Sequence, residues 1–156
     1  MDLEADELAG IVDLFGALPR SDLLAAVREL AFRRDEPFEA SAVERAIDDA
    51  VADFVLLRFE REDETVLVPG PTAFPAMPPG AEDLPHILDA TRREVDRAAL
   101  ADPIGRRLEA AAREVSDPER AADLIEVTYD AEAWTDVDLT AVRERLARVA
   151  DDAAPG

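Results

Sequence analysis

The 156-residue chain contains no cysteine, no lysine, no asparagine and no glutamine, and only one histidine, one tryptophan and one tyrosine. Without thiols, disulfides, thiolate catalysis, zinc-finger ligation and iron–sulfur binding are excluded. Without lysine there is no phosphate-loop lysine and no Schiff base, and neither G-x-x-x-x-G-K nor G-x-G-x-x-G occurs. No G-x-S-x-G is present, and Ser21, Ser41 and Ser116 stand where helix starts are expected. No apolar run approaches the ~20 residues that span a bilayer, and the opening MDLEADELAG lacks the basic and apolar regions of a signal peptide. A soluble, cytoplasmic protein without membrane contact is the expectation.

The lone His86, in DLPHILD, has Asp83 and Asp89 near it in sequence but no second His or Cys to complete a usual zinc site, so it reads as structural. Acid pairs such as Asp48-Asp49, Asp63-Glu64 and Asp151-Asp152 are expected by chance among 37 acids. No catalytic residue, no metal site and no cofactor is therefore assigned.

What the chain has in abundance is negative charge. Its 37 Asp and Glu face 17 basic residues, all of them Arg, for a formal net charge of −20 and a pI near 4.2. A GC-rich genome would account for some of the missing Lys and Asn, but not for the surplus acids. With 48% hydrophobic residues in periodic positions, this is a folded acidic protein and not a disordered tail. Mutual repulsion among so many carboxylates destabilises a small domain at low salt, whereas at 1 M salt the Debye length falls to ~3 Å and screens it. The charge describes the solvent: a salt-in, halophilic cytoplasm, with monovalent salt required for stability.

Apolar spacing predicts a first helix over about 4–17, with Leu8, Ile11, Val12 and Phe15 on one face. Pro19 suits the first turn of a second helix reaching Arg34, with Leu23, Val27, Leu30 and Ala31 buried. Ser41 and Glu44 form an S-x-x-E start for a third, whose apolar side carries Val43, Ala46, Ile47, Ala50, Val51 and Phe54. FVLLRFE and TVLVP then read as two strands joined by REDE, a loop of four residues or so.

Residues 1–69 thus form one unit. A proline-rich strap over 70–90 follows, too apolar for a free linker, with Phe74, Met77 and Leu84 needing cover. Residues 91–156 make a helical half expected to pack on the first unit. There Thr91 with Glu94, Asp102-Pro103, and Ser116 with Glu119 mark helix starts, for helices at about 92–101, 103–115, 117–129 and 138–151. The tail DDAAPG is expected to fray. The fold class is mainly α, as an α+β arrangement of three helices and a hairpin followed by a helical half.

The order helix, helix, helix, hairpin over residues 4–69 resembles a winged-helix domain. LAGIVDLFGAL, AVERAIDDAVADFVLL and VPGPTAFPAMPPGAEDLPHIL are similar to segments of an uncharacterised family of acidic proteins from halophilic archaea. That second resemblance implies no activity and no site residues.

A winged-helix reader of DNA would contact it through Arg45, Arg58 and Arg61, with Arg20, Arg33 and Arg34 on the same face. Against these stand Glu44, Asp48, Asp49 and Asp53 on the third helix and Glu60, Glu62, Asp63 and Glu64 at the hairpin tip. Phosphates are repelled there, and the counterion-release term that drives DNA affinity shrinks with salt. Tyr129 and Trp134, in VTYDAEAWTDVDL, either plug a junction between helices or form a partner-contact patch. The reading that follows is a non-enzymatic protein-interaction or adaptor protein with a protein partner, linked to transcription by its winged-helix likeness. A DNA-binding regulator is the alternative, and an enzyme using carboxylates and a divalent cation comes third.

Overall fold

The computed structural model describes residues 1–89 and 92–152. The chain divides into two compact units, Met1–Val95 and Asp96–Gly156. The proline-rich segment and residues 92–95 fall within the first unit, because their backbone hydrogen bonds go to its helices.

The first unit runs α1 (Ala5–Phe15), α2 (Arg20–Arg33), α3 (Ala40–Ala52), β1 (Leu56–Arg61), β2 (Glu64–Pro69), a 3₁₀ turn (Ala81–Asp83) and the short α4 (Leu84–Ile87). Mainly α with one hairpin is the fold class expected. The apolar stripes meet in one core: Leu8, Ile11, Val12 and Phe15 of α1, Leu23, Val27 and Leu30 of α2, and Val43, Ile47 and Ala50 of α3. Helix starts are less well foreseen. Pro19 precedes α2 instead of opening its first turn. The Ser41–Glu44 box is not formed, because the cap is Glu39, two residues earlier, and Glu39 O already accepts from Val43 N–H at 3.1 Å.

Both α2 and α3 close with a left-handed residue that is not glycine. Asp35 (φ 54°) and Phe54 (φ 64°) each let two amides return to the last turn: Glu36 N–H to Ala31 O (2.9 Å) and Asp35 N–H to Phe32 O, then Val55 N–H to Ala50 O (2.9 Å) and Phe54 N–H to Val51 O. These are Schellman closures. The second turns the chain directly into β1 and buries the Phe54 ring.

In the antiparallel hairpin Leu56 faces Pro69 and Arg61 faces Glu64, so the turn is the two residues Glu62 and Asp63 and not the four of REDE. Glu62 supplies the positive φ, 53°, that such a turn demands. Leu18, between α1 and α2, adds a bridge to Leu67 through reciprocal bonds of 3.0 and 2.7 Å. At Leu67, β2 is therefore paired on both edges.

In the second unit a 3₁₀ turn (Arg97–Leu100) leads into α5 (Ala101–Glu114), followed by α6 (Pro118–Trp134) and α7 (Thr140–Asp151). Arg92–Asp96 are not helical, contrary to the expected helix 92–101. Arg93 N–H is drawn instead to Phe15 O at the end of α1 (2.8 Å), and Thr91 lies outside the described residues. Asp96, accepting from Ala98 N–H, opens the 3₁₀ turn upstream of Asp102-Pro103, which then falls inside the first turn of α5. Asp117, not Ser116, caps α6, with Pro118 at its first position. The tail from residue 153 lies outside the described residues.

Candidate functional site

Cover was expected for three apolar side chains of the strap, and only Leu84 receives it. Leu84 is fully buried, whereas Phe74 is 81% and Met77 48% exposed. The reason is the way the segment is anchored. Phe74 N–H donates to Asp6 Oδ1 (3.1 Å) and Ala76 N–H to Asp6 O (2.9 Å), so Asp6 at the start of α1 holds the strap by its backbone. Backbone packs directly on backbone here: a Cβ built on Gly10 would land on the Ala76 carbonyl, 2.5 Å from its carbon. An inward main chain leaves the two large side chains outside.

The other end of α1 is held similarly. Arg92 Nη1 donates to Asp13 O (2.7 Å) and Leu14 O (3.2 Å), capping the helix C-terminus with a cation. The Arg93 guanidinium makes a two-pronged, half-buried ion pair with Glu64 (2.9 and 3.2 Å). Gly16, at φ 78°, abuts the Arg93 carbonyl, which only a residue without Cβ permits.

The arginines expected on a DNA-reading face are partly engaged by carboxylates and backbone carbonyls. Arg20 is spent on Asp48 (2.9 Å) and on Glu44 O (2.9 Å), Arg34 pairs with Glu36, and Arg61 donates to Glu94 O (3.2 Å). Arg45 and Arg58 are exposed and make no ion pair among the described residues. Arg33 is likewise exposed and without an ion pair among the described residues, so three of the six guanidinium groups remain, against the exposed Glu44, Asp48, Asp49 and Asp53 of α3 and its end.

Tyr129 and Trp134 do not form a patch. Both lie on α6 and not in a loop, and five residues place them about 140° apart around the helix. Each ring has its own guanidinium: Arg143 lies 4.2 Å from the Tyr129 centroid and Arg97 4.8 Å from that of Trp134. Arg143 also bonds Glu132 (2.9 Å) and the Thr128 hydroxyl (3.0 Å), joining α7 to α6. The Arg143–Glu132 bond and the Leu139 N–H at 2.8 Å hold the Glu132 carboxyl below its ordinary range, and the same bond to Glu132 raises Arg143. At the head of α7, Asp138 is lowered by the Thr140 N–H and hydroxyl.

His86 is exposed on α4, and no group of three or more His, Asp or Glu able to hold a metal occurs among the described residues. None of the described helices is long and apolar enough to cross a membrane. What sequence reasoning missed is the Asp6–Gly10 seat of the strap. The signal available for it was a glycine inside an otherwise strong helix pattern.

No curated protein and no solved structure matches the chain. One family model does, over residues 6–151, and the chain accordingly belongs to that family of unknown function, DUF7109.

Proposed function

We propose that the protein is a non-enzymatic interaction protein, an adaptor of a high-salt cytoplasm, with transcription as the process its winged-helix order suggests. The observation that carries this reading is the exposure of Phe74 and Met77 on a strap whose backbone is fixed at Asp6 and Gly10. Large apolar side chains held outward by an anchored main chain are ready-made contacts, since little further ordering is needed on binding. The surplus of carboxylates suits a solvent of molar salt.

The test is affinity capture of the tagged chain from its own host's lysate at native salt, split with and without nuclease. Protein partners that survive nuclease and disappear with Phe74→Ser/Met77→Ser support the adaptor. Recovery of no stable partner counts against it.

A second reading, a winged-helix regulator that binds DNA, is favoured by the Leu18–Leu67 bridge and by the unpaired Arg45 and Arg58. It predicts duplex binding at molar KCl that is lost in Arg45→Ala and Arg58→Ala. Binding that persists unchanged in both variants removes this face as the reader.

A further inference from the structure

Three prolines set the shape of residues 74–79. Pro75, Pro78 and Pro79 fix φ near −65°, and Phe74, Met77 and Pro78, each preceding a proline, are confined to extended or polyproline II backbone. Residues 73–78 accordingly lie in neither helix nor strand. In a polyproline II helix the repeat is three residues, which brings Phe74 and Met77 onto one edge. Both are exposed, as are Pro75, Ala76 and Pro79, and Pro78 alone of this segment is buried, so Phe74 and Met77 are the large side chains it offers to solvent. The two hydrogen bonds from Phe74 and Ala76 to Asp6 orient the whole segment with that edge outward.

The side chains of the strap and of the helix that seats it carry charge of one sign. No arginine precedes Arg20 and none lies between Arg61 and Arg92, so neither α1, which seats the strap, nor the strap itself contributes one. They contribute Asp6, Glu7, Asp13, Glu82, Asp83 and Asp89.

From this combination we infer that residues 74–79 are a preformed polyproline ridge that docks, through Phe74 and Met77, in an aromatic-lined groove with a basic rim on a partner protein. The inference rests on the interaction reading above and specifies its partner. Proline-rich segments bind aromatic grooves because their backbone is already ordered, with apolar side chains at the three-residue repeat filling the pockets. With a Debye length of ~3 Å at molar salt only direct ion pairs count, and these carboxylates can form them with a groove edged by Arg or Lys but not with an acidic one.

The absence of cysteine makes a clean test available, since any introduced thiol is unique. Ala76→Cys in the full chain, an exposed position that leaves Phe74 and Met77 in place, is labelled with benzophenone maleimide and irradiated in host lysate at native salt. Arg45→Cys and Tyr129→Cys serve as probes elsewhere on the surface. The expected result is a protein adduct from position 76, mapped by mass spectrometry beside Trp, Tyr or Phe and within a rim of Arg or Lys. Unlabelled chain should suppress it, and Phe74→Ser/Met77→Ser should compete at least about tenfold less well, as for loss of two anchor side chains.

Protein adducts from position 45 or 129 but none from 76 would overturn the ridge and leave the interaction reading standing. No protein adduct from any position would overturn both. An adduct from 76 to a second copy of this chain, to nucleic acid or to an acidic, non-aromatic surface would also overturn the proposed partner.

Discussion

Gly10→Ala should destabilise the first unit, against the sign that helix propensity gives. Within α1, replacing glycine by alanine favours the helix by about 1 kcal/mol. The new Cβ, however, would sit 2.5 Å from the Ala76 carbonyl carbon and closer still to its oxygen. Ordinary carbon–carbon contact begins near 3.5 Å, so the strap must retreat by about 1 Å. The obstacle is backbone, which cannot rotate away as a side-chain tip could. Overpacking of this kind costs about 1–3 kcal/mol. Retreat also strains or breaks the bonds of Phe74 and Ala76 to Asp6, each worth about 1 kcal/mol. The expected net loss is roughly 1–3 kcal/mol. Urea unfolding at fixed molar salt gives the sign, and limited proteolysis should show earlier cleavage between 70 and 80. A variant more stable by about 1 kcal/mol, with the strap equally protected, would refute the packing of strap on helix.

Three further outcomes are expected. Lowering KCl from about 1 M to ~0.1 M should abolish cooperative melting, as screening of the −20 net charge is lost; identical melts at both salts would dismiss the high-salt adaptation. The lowered Glu132 carboxyl contributes stability that is present above its unfolded-state value and lost as pH falls through its folded one. Emission of Trp134, the only tryptophan and in the same unit, should report an acid transition there that Glu132→Gln flattens, and an unchanged acid limb in the variant would exclude this carboxyl. Asp35→Gly, at an exposed left-handed closure of α2, should raise the denaturation midpoint by roughly 0.5–1 kcal/mol equivalent, whereas a drop would mean the aspartate side chain stabilises that turn.

Patterns of near neighbours were sufficient for much of the fold. The 3.6-residue stripes of α1, α2 and α3, the paired β-branched runs and the acidic surplus are properties of a chain read in order, and they determined the mainly α class, the core residues of these helices and the place of the hairpin. The absence of Cys and Lys likewise needed no coordinates to remove whole classes of chemistry. What depends on partners far along the chain was decided only in three dimensions. Arg92 and Arg93 stay out of a helix because the open carbonyls of α1 and Glu64 lie across from them. Tyr129 and Trp134 separate because α6 continues through both. Arg20 and Arg61, read as free cations, are consumed by Asp48 and by backbone carbonyls. Phe74 and Met77 face solvent because Gly10 lets the main chain of the strap, and not its side chains, fill the contact with α1. Spacing along a sequence records which residues share a face, but which face is covered is set by backbone contacts that spacing does not encode.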